Sequence, residues 1–307
     1  MTKSGDLYSL GSSAFIGSVL PTKYMTLQSA NFQLAPVLEI GAFQMSVSGQ
    51  RISLYNVLPL PFIITEPYMG NYDNILGGFT AKIILPFQTA IDLLFFIDDW
   101  QLVEGGHYSS ASQQLNIDPF ANKTAGQITL AWVPSEFLAT RFSLAYLFIA
   151  PYMYTHSSHA LLNYLTYTYN GYSIGSSLKP NSDQWMVRAN LSPGIGLFVE
   201  SSFRFIRHAN GSDHGEGTVD GDGSIWDDGY TSGGGVTFYG DSTFLNQAVI
   251  EEIIQFEVVI QYDFIQGIKE AKTKVTYGFG DIKNKDLIVS NVNTISHMFS
   301  IGLELAI

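Results

Sequence analysis

Phe299-Ser300-Ile301-Gly302-Leu303-Glu304-Leu305-Ala306-Ile307 closes the chain, and its odd and even positions differ in kind. Phe299, Ile301, Leu303, Leu305 and Ile307 are large and apolar, whereas Ser300, Gly302, Glu304 and Ala306 are small or polar. A period of two marks an extended strand with one apolar and one polar face. Wound as a helix, the same residues would scatter greasy side chains around the whole circumference. The alternation recurs upstream. Ile254, Phe256, Val258, Ile260 and Tyr262 oppose Gln255, Glu257 and Gln261. Lys272, Lys274, Thr276 and Gly278 alternate with Thr273, Val275, Tyr277 and Phe279. Trp185, Val187 and Leu191 oppose Arg188, Asn190 and Ser192, and Phe142, Leu144, Tyr146 and Phe148 oppose Arg141 and Ser143.

Extending this reading predicts twelve strands, near 6–16, 23–33, 36–48, 77–86, 89–98, 123–133, 138–150, 184–192, 195–207, 249–263, 271–279 and 295–307. The connections then mostly alternate in length. Brief ones hold Ala35-Pro36, Phe87-Gln88, Pro134-Ser135-Glu136, Ser192-Pro193-Gly194 and Phe264 to Lys269, while long ones run near 49–76, 99–122, 151–183, 208–248 and 280–294. The first gap, 17–22, is short where a long loop would fit the scheme. Short turns on one rim and long loops on the other are what outer-membrane barrels show, the long loops being extracellular. An even count places both termini at the short-turn, periplasmic rim. Ile52 to Leu58 and Phe244 to Ala248 read as short helices within the long loops.

Composition points the same way. Of 307 residues, 46% are hydrophobic and 14% aromatic, but only 14% are charged, against about 25% charged in a soluble domain. No stretch offers the ~20 consecutive apolar residues of a helical span. A closed barrel is the other architecture that satisfies every backbone group in lipid. A soluble β-sandwich also alternates, but the long apolar faces with aromatic ends and the uneven loops count against it. The expectation is therefore a single all-β domain over 1–307, an antiparallel transmembrane β-barrel of about twelve strands. No cysteine is present, which excludes disulfides, thiolate metal sites and cysteine nucleophiles. A net charge of −12 argues against a nucleic-acid partner. Met1 to Asp6 leads straight into Leu7-Tyr8 with no charged-then-apolar signal segment, which an outer-membrane address requires, so a clipped or mature start is expected.

Several segments could carry chemistry. Asp213 to Asp228 holds six carboxylates interleaved with glycine. Asp220 and Asp222 sit at alternate positions, as at the start of a calcium loop, but Ile225 stands where the glycine belongs and Thr231 where the bidentate Glu belongs. A solvated acidic loop is preferred, with no resident cofactor and Asp220 and Asp222 as the only calcium candidates. Trp226 and Tyr230 beside Asp227 and Asp228 suit sugar, because aromatic faces stack on C–H faces while carboxylates accept hydroxyl protons. Packing of the loop on the rim is the alternative. Tyr164 and Tyr167 belong to a second tyrosine-rich loop and join them as glycan candidates. That loop also holds His156 and His159, whose spacing would bind metal on a helix but diverges on an extended chain.

Hydrolysis finds no evident base partner for a nucleophile. Asp98-Asp99 diverge as neighbours on a strand. Arg141, Arg188, Arg204, Glu200, Glu257, Lys274 and Glu304 share the predicted inward face, so they line a wet path or plug the lumen as paired charges.

Four segments carry a family likeness. Asn71-Tyr72-Asp73-Asn74 leads into Leu76-Gly77-Gly78, and Phe96-Ile97-Asp98-Asp99-Trp100 ends a greasy strand. Ala150-Pro151-Tyr152-Met153-Tyr154-Thr155-His156 opens the tyrosine-rich loop, which closes with Lys179-Pro180-Asn181-Ser182-Asp183. In this order they resemble the Wzi-type capsule assembly family of outer-membrane proteins. The resemblance implies a non-enzymatic barrel that acts as a lectin and holds surface polysaccharide at the outer membrane. It also implies larger relatives, against which this chain starts late and lacks N-terminal strands. The Asp98-Asp99 and Pro180 to Asp183 segments are expected to fix strand ends and loop geometry. A porin-like channel for small solutes is the alternative function, a barrel hydrolase the third. The expected partners are outer-membrane lipid and surface polysaccharide, with oligomeric state open.

Overall fold

The computed structural model describes residues 23–49, 74–99, 123–134, 140–154, 166–169, 172–193, 196–210, 244–266, 269–287 and 293–306. Among the described residues thirteen strands form: β1 (Lys23–Ala35), β2 (Leu38–Gly49), β3 (Asn74–Leu85), β4 (Thr89–Asp99), β5 (Lys123–Trp132), β6 (Arg141–Ile149), β7 (Thr168–Tyr169), β8 (Tyr172–Ser173), β9 (Ser182–Leu191), β10 (Leu197–His208), β11 (Glu251–Gln266), β12 (Lys269–Lys283) and β13 (Thr294–Ala306). Eleven join one antiparallel meander in the order β1-β2-β3-β4-β5-β6-β9-β10-β11-β12-β13, and β7 pairs with β8 in a separate small hairpin. The expected strand at 6–16 lies outside the described residues. No helix among the described residues is long and apolar enough to cross a membrane.

Connections 36–37, 86–88, 133–140, 192–196 and 267–268 fall at one rim, and 50–73, 100–122, 150–181, 209–250 and 284–293 at the other. Both β1 and β13, the two ends of the meander, run from the long-connection rim to the short one.

Register assigns every described side chain to one of two faces. Directly opposed residues share a face, so Phe148, Asp183, Arg207, Glu252 and Lys283 form one row, and Ile149, Ser182 and His208 begin a row on the other side. The first face is a broad apolar surface. Phe79, Ile128, Leu130, Trp132, Phe142, Leu144, Trp185, Val187, Phe203, Phe256, Ile260 and Tyr277 on it are 38–49% exposed, and Phe299, Ile301 and Leu303 on β13 reach 66–67%. The opposite face is mixed and polar.

Several boundaries move. β12 runs past the expected end at 279 to Lys283, with Gly278 and Gly280 on the polar face, where a Cβ at Gly280 would meet Ser296 Oγ at 2.9 Å. The ladder between β11 and β12 continues to Gln266 and Lys269, although the adjacent Lys269 and Glu270 break the alternation there. Phe244 to Ala248 is not a helix. Leu245 has φ 50°, a left-handed conformation that a right-handed helix cannot contain, and its N–H donates to Asn181 Oδ1 at 2.8 Å. At the short rim, Gly196 with φ 75° packs against Asp263, whose N–H donates to the Gly196 carbonyl at 2.8 Å. A Cβ there would lie 2.5 Å from the Asp263 oxygen, which requires glycine.

Candidate functional site

The main buried apolar cluster among the described residues sits at the long-connection rim, on the polar face. It joins Val47, Leu76, Ala125 and Ile149 of the sheet to Met153, Tyr154, Tyr167 and Leu178 of the connection 150–181. This connection leaves β6 and returns to β9, yet it reaches across the face as far as β1, and it is called the strap below.

The strap is pinned at both ends and at its far reach. At the base, Ala150 N–H donates to Thr124 O (2.9 Å) and Asn181 N–H donates to Ala150 O (3.2 Å). In the middle, Asp98 Oδ2 accepts from Tyr154 N–H at 2.9 Å. The register between β4 and β5 shifts at Ile97/Asp99, so Asp98 is the extra residue of a bulge and its side chain is re-aimed toward the strap. Tyr154 and Tyr167 meet edge to face at 6.2 Å, and a Cβ on Gly175 would strike the Tyr154 ring at 2.6 Å. Burial pushes the Tyr154 hydroxyl well above the ordinary tyrosine range, and the neighbouring Asp98 carboxylate pushes it further the same way.

At the far reach, the Tyr167 hydroxyl lies 3.1 Å from both Met45 O on β2 and Asn74 O on β3. The Lys23 ammonium at the start of β1 donates to Thr168 Oγ1 (2.9 Å), Thr168 O and Thr166 O (both 3.2 Å), and Thr166 Oγ1 (3.4 Å).

Beyond the strap the polar face carries charge. Arg141, Arg188, Arg204, Glu200, Glu257 and Lys274 all fall on it by register: Arg141 opposes Asn190, which opposes Glu200, while Arg188 opposes Ser202, which opposes Glu257. Arg141, Arg188, Glu200 and Lys274 are exposed, and Arg204 and Glu257 are half-buried.

The Pro180 to Asp183 segment forms a rim knot. Asn181 is fully buried with φ 51°, a left-handed conformation that asparagine tolerates. Its carbonyl accepts from Ala209 N–H at 3.0 Å. Asp183, also fully buried, takes both ends of the Arg207 guanidinium and accepts from the Tyr146 hydroxyl at 3.2 Å. Ser182 Oγ lies 2.9 Å from His208 Nδ1, a nucleophile-to-base spacing absent from the sequence reading. The pair is 1% and 5% exposed, and the Ser182 hydroxyl reaches Pro180 O at 3.3 Å. In this position it knits the knot, with no surface for a substrate carbonyl. His297, by contrast, is on the apolar face against Tyr277, whose hydroxyl is 3.1 Å from its Nδ1.

Of the sugar candidates, Tyr167 is 0% exposed and packs the strap. Trp226, Tyr230, Asp227, Asp228 and Tyr164 lie outside the described residues, as do the calcium candidates Asp220 and Asp222, the pair His156 and His159, and the expected helix at Ile52 to Leu58. Among the described residues no group of three His, Asp or Glu is placed to hold a metal. Sequence reasoning missed Lys23, Thr166 and Thr168. The signal available was the alternation of Thr166-Tyr167-Thr168-Tyr169 inside a long loop. No family model and no curated protein matches the chain.

Proposed function

We propose that this chain is an integral outer-membrane barrel of the capsule-assembly kind, which anchors surface polysaccharide through its long loops and catalyses no reaction. The observation that carries the reading is the uncovered apolar face. Contiguous apolar patches of more than a few hundred Å² mark interaction or membrane surfaces, and here one face of the sheet presents exposed Phe, Leu, Ile, Val and Trp, interrupted on β1 and β2 by Gln28 and Gln44 and by the buried Ser46 and Ser48. Its borders suit a bilayer. Trp132 stacks on Phe142 near the short-connection rim (5.8 Å), and Tyr146 meets Trp185 near the long one (4.6 Å), as interfacial aromatic girdles do. Just beyond the second girdle the row Asp183, Arg207, Glu252, Lys283 alternates in sign, with pairs at Asp183–Arg207 and Glu252–Lys283. Charge belongs outside the hydrocarbon layer, where desolvation is small.

The polysaccharide part rests on the aromatic and acidic residues Trp226, Tyr230, Asp227 and Asp228 of the connection 209–250, with Tyr164 of 150–181, since both connections lie at the long-connection rim. It also rests on the family resemblance. Purified full-length chain is expected to need detergent, to float with vesicles, and to bind capsular or lipopolysaccharide glycans, with Trp226→Ala and Tyr230→Ala weakening the binding. A compact monomer in plain buffer would remove the membrane reading, and an inserted chain that binds no glycan would remove the lectin reading. The exposed Arg141, Arg188, Glu200 and Lys274 favour a second reading, a porin-like path for small solutes, which single-channel conductance separates from the first.

A further inference from the structure

We propose that the short-connection end of the polar face carries a sugar-binding subsite, built by Phe198 with Arg141, Asn190 and Glu200 in one row and Arg188 and Glu257 in the next, and that its ligand is an uncharged saccharide. This deepens the second reading above, the path for small solutes, and rests on it for the place of the site inside a barrel. Register fixes the arrangement. Arg141, Asn190 and Glu200 lie directly across β6, β9 and β10, and Arg188, Ser202 and Glu257 lie directly across β9, β10 and β11. Each row therefore sets a guanidinium and a carboxylate two strands apart, about 10 Å, with a short polar residue between them. Along the strands the rows are about 7 Å apart. Ser202 is buried and forms a floor, while Arg141, Arg188 and Glu200 are exposed. No ion pair or side-chain hydrogen bond joins Arg141, Arg188, Glu200 or Glu257 to another described residue.

Phe198 makes these rows more than a solvated charge pattern. It lies two residues before Glu200 on β10, hence on the same face and beside the first row. At 43% it is, among the described residues, the one exposed aromatic side chain on the sheet's polar face, since Phe43 and Phe96 pack against the buried cluster under the strap. Water on a bare ring is unfavourable, and the C–H face of a pyranose can replace it by stacking. Around the ring the guanidiniums only donate hydrogen bonds, the carboxylates only accept, and Asn190 does both. Sugar hydroxyls also do both, so one sugar ring can use both charged members of a row. The two charges of each row cancel, which favours an uncharged ligand over an ion.

The full-length chain, shown by flotation to enter vesicles, is titrated in detergent micelles by saturation-transfer NMR with maltotriose as the probe. Maltotriose is expected to bind, and tetraethylene glycol, a flexible chain without ring faces, is not. Arg188→Ala is expected to weaken binding about tenfold, the scale of losing hydrogen bonds to a charged group. Phe198→Ala is expected to weaken it about fivefold, the scale of a lost ring contact. Phe198→Leu keeps an apolar side chain of similar reach and removes the flat face, which guards against a folding defect, and it should weaken binding as well. Phe87→Ala, at the turn between β3 and β4 where the ring is 89% exposed, is expected to match wild type.

No binding of maltotriose would overturn the proposal, as would equal binding of tetraethylene glycol or affinity left unchanged by Phe198→Leu and Arg188→Ala. Trigalacturonate bound in preference to maltotriose would overturn the uncharged assignment, with Arg204 and Lys274 of the adjoining rows supplying the surplus cations. The reading beneath it fails in a different way. A chain that binds maltotriose through these residues yet conducts nothing in planar bilayers keeps the site and loses the path for solutes. Failure to enter vesicles at all removes the barrel and takes the site with it.

Discussion

The two halves of the polar face solve opposite problems with the same strand pattern. Across β2 to β6 it is apolar near the long-connection rim, where Phe43, Met45, Val47, Leu76, Phe96, Ala125, Leu147 and Ile149 lie under or beside the strap. Across β9 to β13 it presents Arg188, Glu200, Arg204, Glu257 and Lys274, and no apolar cluster covers them among the described residues. Positions on the second face of such a sheet are therefore not all polar by rule. They take the polarity of whatever faces them, a folded loop on one side and water on the other.

Truncation separates the halves most sharply. Leu76→Ala empties space in a fully buried site and is expected to cost about 2–5 kcal/mol in denaturant unfolding, whereas Met298→Ala on the exposed side should cost well under half as much. A comparable loss for both would mean that the bare half is covered too.

Glycine substitutions come next. At Gly78 a Cβ would lie 2.2 Å from Phe95 O and 2.4 Å from the Phe43 ring, and at Gly302 its nearest neighbour is 4.0 Å away. Gly78→Ala should cost about 1–3 kcal/mol by overpacking, and Gly302→Ala should fall within roughly 0.5 kcal/mol of wild type.

Proton linkage gives a finer contrast. Tyr154 titrates higher when folded than unfolded, so the folded chain holds a proton that the unfolded chain releases. The contribution of this group is complete below the ordinary tyrosine value of about 10 and is lost as pH rises from there through the higher folded value. The urea midpoint should fall more steeply above about pH 10 in wild type than in Tyr154→Phe; identical slopes would show that Tyr154 is not sealed beneath the strap. The smallest effect is expected at Arg188→Ala, within roughly 0.5 kcal/mol in stability, since the side chain is exposed. A larger loss would place it in a buried ion pair.

The strands were legible because burial on a two-faced sheet writes a period of two into the sequence, as in Ile254 to Tyr262 and Phe142 to Phe148. That Asp98 and Pro180 to Asp183 fix strand ends and loop geometry was legible as well, since a carboxylate closes a greasy strand and an Asn-Ser-Asp run after proline suits a rim turn. The strap was not. Tyr167 and Tyr164 read alike, as tyrosines in one loop, and only the position of Met45 O and Asn74 O makes Tyr167 a packing residue. Lys23 and Thr166 are 143 residues apart, and no local pattern links them. Asp98 was read as diverging from Asp99 on a regular strand, because a bulge leaves no trace in hydrophobic alternation.

The two outermost strands of the meander, β1 and β13, point the same way. Zipped directly to each other they would make a parallel seam, which is slightly weaker per residue than the antiparallel ladders elsewhere. A cylinder stitched throughout in opposing directions therefore takes an odd number of strands at that gap, beyond the eleven among the described residues.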